Sequence, residues 1–282
     1  MGGMVPADIA DRVERARAIA RRCHLCERRC GVDRLAGERG YNGLGARSHL
    51  FYEGLHYGEE LELLPSHIVY LTGCNLRCVY CVVGEHILRA NVDRGRPVAP
   101  SWLAARIAAR RAEGARNVNF CGGEPSVNLV AVLETLALCP ADTRVVWNSN
   151  FYHTEETAAL LAGVVDVWLA DWKYGNDGCA RRLSVVPRYR EVVERNLRAA
   201  LATGADTIVR YLVLPGHNEC CFEPIARWLA REAQGARLSV LDQYTPFFRA
   251  ARVGGGLERA GTSAEADDVR RRAEGHGLRL VA

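Results

Sequence analysis

With 282 residues, 49% of them hydrophobic and 25% charged, the chain can bury a sizeable core and lies near the size of one large α/β barrel domain. Its formal net charge is only +4 and its basic residues are spread out, so neither nucleic acid nor an anionic membrane is an expected partner. No apolar run reaches the roughly 18 residues of a membrane span, and the N-terminus lacks the features of a signal peptide, so a cytoplasmic location is expected. Eleven cysteines, an odd number, then favour metal and redox chemistry over disulfides.

In chain order, residues Ala7 to Arg22 are predicted as an amphipathic helix, with Ile9, Val13, Ala16 and Ile19 at helical spacing. It runs into Cys23, Cys26 and Cys30. This group either holds a metal, with His24, His49 or His56 as a fourth ligand, or is purely structural. Glycine punctuation predicts loop over residues 31–48. A buried strand is predicted from Ile68 to Leu71, ended by Thr72 and Gly73. After residue 90 strands and helices alternate. A helix begins at Pro100 with Ser101 as its cap, and helices are also predicted over 127–138, 155–162, 188–203 and 222–231. Strands are predicted over 117–121, 144–147, 165–170, 206–213 and 236–241. Ser263 is the expected cap of a last helix over 264–274, followed by a closing strand over 278–281. Six strand–helix units of this kind predict an α/β fold, a partial (β/α)6 TIM-type barrel over residues 65–282. Residues 1–64 are the expected N-terminal, cysteine-containing extension.

Cys74, Cys78 and Cys81 follow the first barrel strand on one loop. Three thiolates within eight residues are poor disulfide partners and good soft-metal ligands. Structural zinc sites pair such cysteines with a second ligand pair further along, and none follows at that spacing. Iron–sulfur cubanes use cysteines at short, unequal spacings, and three ligands leave one iron free to bind a small molecule. The pattern C-x3-C-x2-C, with aromatic Tyr80 before the last cysteine, resembles the signature of the radical S-adenosylmethionine (SAM) enzymes.

Gly122-Gly-Glu-Pro125 ends the next strand, about forty residues on. Taken alone it is a turn, in which glycines let a ligand approach the main chain and proline fixes the bend. In this position Gly122, Gly123, Glu124 and Pro125 match the radical SAM motif that holds the methionine amino group. The resemblance covers most of the chain and extends to the pyruvate formate-lyase activating enzyme-like branch. The strand-end segments 146–152, 169–174, 209–217 and 242–246 carry it. It implies a [4Fe–4S] cluster on Cys74, Cys78 and Cys81, and SAM beside it. Asn148 would lie near the ribose, and Lys173 and Arg210 near the carboxylate. An electron donor such as flavodoxin or ferredoxin is also implied. Lys173 has an argument of its own: it is the only lysine in a chain that otherwise uses arginine, and the two cations do not interchange at ligand sites. Asp171 is its expected neighbour.

Two departures from the resemblance stand out. The N-terminal cysteines resemble a subset of that branch in which a fourth cysteine follows the glycine-rich loop, where this chain has Gly40-Tyr41-Asn42. Cys81 is followed by Val-Val-Gly-Glu-His86 instead of a polar pair, so the substrate side is expected to differ. Cys121 is expected to face inward and Cys139 to pack. Cys179, Cys220 and Cys221 are expected on loops of the active face. A thiol can give a hydrogen atom to a carbon radical, so Cys220 and Cys221 are candidate donors. The expected activity is hydrogen-atom abstraction from a small metabolite or sugar, as in an epimerase; the alternative is a glycyl-radical activase acting on a partner protein. A zinc-stabilised binding module without catalysis is the reading from another class.

Overall fold

The computed structural model describes residues 6–58 and 60–281. Its strands are β1 (His49–His56), β2 (Ser66–Leu71), β3 (Arg96–Pro97), β4 (Val118–Gly122), β5 (Val145–Ser149), β6 (Val167–Asp171), β7 (Asp206–Leu212) and β8 (Arg237–Leu241). They form one open sheet in the order β3-β1-β2-β4-β5-β6-β7-β8. The six strands β2, β4, β5, β6, β7 and β8 pair in parallel and in chain order, as the alternation of elements requires. This is the predicted partial barrel of mixed α/β class.

The antiparallel edge was not expected. β1 pairs with β2, and β3 with β1, so residues 49–56 of the extension join the barrel sheet. Polar His49, Glu53 and His56 hide β1 in the sequence, and an irregularity between Leu50 and Tyr52 breaks its alternation. Glu53 is there for an ionic reason: His67 on β2 pairs with it at 2.9 Å, and Arg106 and Arg110 donate to it from the adjoining helix.

The helices are α1 (Ile9–Arg21), α2 (Gly84–Ile87), α3 (Pro100–Ala112), α4 (Leu129–Leu136), α5 (Glu155–Leu161), α6 (Asp177–Ser184), α7 (Tyr189–Ala202), α8 (Glu223–Glu232) and α9 (Ser263–Gly275). None is long and apolar enough to cross a membrane. α4 is buried on nearly every side because α1 packs across it, with Ala16 and Ala20 allowing close approach. Trp172 beyond β6 meets Trp228 of α8 edge to face at 5.1 Å, a pair worth about 0.5–1.5 kcal/mol beyond its buried area.

Several local expectations are corrected. Ser101 does not cap α3, since Pro100 occupies its first turn and Ala99 precedes it without a side-chain bond. Thr262, rather than Ser263, caps α9, in a reciprocal box with Glu265. The closing strand is a single bridge between Leu238 and Leu280. α6 was missed because it is short and contains Gly178; Asn176 starts it by accepting from the Cys179 N–H.

Within the half-barrel, Leu63, Val146, Val167, Leu169 and Ile208 form an apolar floor. Side chains alternate along a strand, so Asn148, Asp171 and Arg210, each two residues beyond a floor residue, project on the same side one layer higher.

Candidate active site

Above that floor a cavity of about 260 Å³ lies at the C-terminal ends of the parallel strands, where parallel barrels carry their chemistry. Cys74, Cys78 and Cys81 line it from the loop between β2 and α2, and all three are free thiols. Tyr80, Gly122, Gly123, Glu124, Asn148, Lys173 and Arg210 line it too. Pro125 does not; it is buried behind the wall as the first residue of a 3-10 turn.

The three thiols have surroundings suited to thiolates bound to metal. The Leu76 N–H donates to Cys74 Sγ at 3.4 Å and Asn150 Nδ2 donates to it at 3.7 Å. Ser184 Oγ donates to Cys78 Sγ at 3.0 Å. Burial pushes the Cys74 thiol well up, and pushes Cys81 up to about 12, with Cys78 adding to both. Such groups ionise only against a positive charge, and a metal centre supplies one. Donors aimed at sulfur, on three thiols that face one cavity, fit a cubane with one iron left open to that cavity.

Gly122 and Gly123 are required by the fold itself. Gly122 has φ +107°, and a Cβ there would lie 2.2 Å from the Leu71 nitrogen. A Cβ on Gly123 would lie 2.0 Å from the Gly73 oxygen. The two glycines let β4 close on the end of β2, where the cysteine loop begins. Glu124 is likewise taken up internally. Its Oε1 accepts from the Ser126 N–H, Ser126 Oγ and Ser149 Oγ at 3.1, 2.6 and 2.7 Å, and its Oε2 accepts from the Asn150 N–H at 2.9 Å. The carboxylate is a strut between β4 and β5, and Asn150 passes its position on to Cys74.

Opposite the cysteines, Asp171 joins two cations. Lys173 Nζ donates to its Oδ2 at 2.8 Å and Arg210 Nε to its Oδ1 at 2.7 Å. Arg210 also donates to Asn148 Oδ1 at 2.8 Å and lies 3.8 Å from Glu60. Burial opposes ionisation of Asp171, but Arg210 and Lys173 outweigh it and hold the carboxyl at about 2. Burial likewise opposes the Lys173 ammonium, and Asp171 more than offsets it.

Tyr80 continues into a hydroxyl chain that sequence reasoning missed. Its OH bonds Tyr174 OH at 2.7 Å, Tyr174 bonds Ser184 Oγ at 2.6 Å, and Ser184 reaches Cys78. No spacing in the sequence links residues so far apart.

The remaining cysteines fall into three places. Cys121 lines the cavity from β4, paired with Tyr70 of β2. Cys220 and Cys221 do not line it. They lie on a π-helical turn, Asn218–Phe222, and join Cys179 and His217 in a separate group. Among the described residues, Cys23, Cys26 and Cys30 form no such group. Cys30 Sγ accepts from the Tyr41 N–H at 3.2 Å, and His24 turns to the Arg22 carbonyl.

The family model for the Radical SAM superfamily matches residues 68–229. An uncharacterized protein of Methanocaldococcus jannaschii is 39% identical over 243 residues, which are 85% of this chain and 70% of that protein. The structure resembles Streptococcus suis SuiB bound to S-adenosylmethionine, with a TM-score of 0.54 at 14% identity over 73% of this chain and 47% of that one. It also resembles a radical SAM methyltransferase from Sphaerobacter thermophilus, with a TM-score of 0.53 at 17% identity over 76% of this chain and 65% of that one. At such identities the likeness to the solved structures is one of fold, and the chain spans less than half the length of SuiB. The chain belongs to the radical SAM superfamily, whose enzymes work with a [4Fe–4S] cluster and S-adenosylmethionine.

Proposed function

We propose that Cys74, Cys78 and Cys81 hold the [4Fe–4S] cluster, that SAM lies along the Asn148–Lys173–Arg210 wall, and that a small metabolite or sugar occupies the rest of the cavity. Held by Cys74, Cys78 and Cys81, the cluster would supply the one-electron reductive cleavage of SAM to methionine and a 5′-deoxyadenosyl radical able to take a hydrogen atom from a substrate carbon. An electron donor of the flavodoxin or ferredoxin class supplies the electron. The observation that carries this reading is the convergence of three free thiols, the Gly122–Glu124 turn and the paired cations on one cavity.

The chain's own groups divide the work. Lys173 gives one N–H to Asp171 and keeps two for a ligand carboxylate. Asp171 orients both cations, and Arg210 in turn orients the Asn148 amide toward the ribose side. Because the Glu124 carboxylate is already engaged, the backbone oxygens of its turn are the groups left for the methionine amino group. Val82, Val83, Leu212, Leu241 and Tyr244 give the wall an apolar part that excludes water from a radical.

A thiol that returns hydrogen, as an epimerase needs, must reach the wall. Cys220 and Cys221 do not line it, so Cys121 takes that role in this reading. The competing reading, a glycyl-radical activase, is favoured by the strand-end segments and needs no donor. Anaerobic reconstitution with iron and sulfide, followed by assay for 5′-deoxyadenosine, tests the common step; cleavage undiminished in Cys78→Ala would sink it. Deuterium entering a small-molecule product from D₂O, and lost in Cys121→Ala while 5′-deoxyadenosine still forms, is the result expected for an epimerase. Radical signal on a partner protein is the result expected for an activase.

A further inference from the structure

We propose that Cys179, His217, Cys220 and Cys221 form a second metal site, holding a single tetrahedral zinc ion apart from the cavity. Their four ligand atoms all lie within 4.8 Å of one another. His217 Nδ1 is 3.6 Å from Cys179 Sγ, 3.3 Å from Cys220 Sγ and 3.6 Å from Cys221 Sγ. Cys220 Sγ is 3.9 Å from Cys179 Sγ and 3.8 Å from Cys221 Sγ. Bond lengths of about 2.3 Å to sulfur and about 2.0–2.1 Å to nitrogen, at tetrahedral angles, put S···S edges at about 3.8 Å and N···S edges at about 3.5 Å. The five edges match that polyhedron. A cluster of several irons would hold its ligands much farther apart, and a disulfide would use two sulfurs and leave the imidazole without a purpose.

The surroundings fit as well. Asn176 Nδ2 donates to the Cys220 carbonyl at 2.7 Å and faces Cys179 Sγ at 3.3 Å and Cys221 Sγ at 3.7 Å. An amide donor to ligand sulfur is the outer-shell partner that thiolate sites use. The backbone is shaped for the group too. A Cβ on Gly175 would lie 2.1 Å from the Cys221 oxygen, and the turn carrying both cysteines is a π-turn, a form that recurs at functional sites. Three thiolates and a neutral imidazole on a divalent ion carry a net single negative charge. Arg182, whose guanidinium lies 3.4 Å from His217 Nε2, is placed to offset it. Its exposed side chain yields to the proton that metal on Nδ1 leaves at Nε2.

The site joins the start of α6 to the turn after β7. β6 and β7 carry Asp171 and Arg210, and α6 carries Ser184, which donates to Cys78. The four ligands are therefore positioning residues: the ion pins α6 against the active face from behind.

The test uses the full chain carrying Cys74→Ala, Cys78→Ala and Cys81→Ala, so that iron of the main cluster is absent. The expected result is one zinc per chain, replaceable by cobalt(II) with the visible absorption of a tetrahedral thiolate site. Cys179→Ser and His217→Ala in that background should each lose the band or shift it. In the otherwise unaltered chain, Gly175→Ala, which removes no ligand but pushes the Cys221 backbone away, should lower zinc occupancy at least tenfold. Absence of zinc and cobalt binding, a band unchanged in both ligand variants, iron with labile sulfide, or a single iron in place of zinc would each overturn the proposal.

Discussion

The loop after β2 and the junction of α6 with the turn after β7 each gather three cysteines, and they do so in opposite ways. On the loop, Cys74, Cys78 and Cys81 come from one segment and face a cavity. At the junction, the sulfurs come from two elements some forty residues apart and close on one imidazole. Among the described residues only the second group brings all its ligand atoms within 4.8 Å of one another. An open arrangement facing a cavity leaves room for a cluster and a substrate. A closed one leaves room for an ion and nothing else. In metal sites generally, an open coordination position goes with chemistry and a filled shell with structure.

Mutations on either side can break that contrast. The largest effect is expected for Cys78→Ala, which should reduce 5′-deoxyadenosine formation to background, whereas Cys220→Ser should retain measurable cleavage; equal losses in the two would erase the distinction. Next is Asp171→Asn, at the strand end between the groups. It leaves Lys173 and Arg210 without their shared carboxylate and should cost about 2 kcal/mol in urea unfolding at pH 7, less than the loss of a fully buried pair because Asp171 and Lys173 are only half-buried. The native carboxyl, at about 2, lies below its ordinary value of 3.8, so its contribution is complete above about pH 4 and lost as pH falls toward 2. The stability gap between wild type and variant should therefore close over that interval.

A smaller effect is expected for removing the second metal. Cys179→Ser, or chelation of the wild type, should lower Tm by several degrees, since each kcal/mol is worth about 2–4 °C in a chain of this size. The smallest effect is expected for Ser184→Ala, on the helix both groups touch. Loss of a hydrogen bond to Cys78 Sγ should make the cluster potential more negative, read by EPR-monitored titration, with little change in Tm.

The open group was legible because its three cysteines share a segment: spacing along a loop is already geometry. The Gly122–Glu124 turn was legible in place, but its close approach to Leu71 and Gly73 was not, because that backbone lies at the end of another strand. Lys173 and Asp171 were legible as a pair, two residues apart at a strand end, where alternation puts them near each other. The N-terminal cysteines show the converse. Their spacing suggests a metal, yet among the described residues their sulfurs form no set of three within 4.8 Å of one another.

By itself the sequence determined the six parallel strands, because period is a local property, and through the resemblance carried by Cys74, Cys78, Cys81 and the Gly122–Pro125 turn it pointed to the radical SAM superfamily. Only the tertiary structure decided the edge strand β1, the hydroxyl chain from Tyr80 to Cys78, and the placement of Cys220 and Cys221 beside His217 instead of in the cavity. Those depend on which side of a half-barrel each loop returns to, and that is set by the packing of helices far away in the chain.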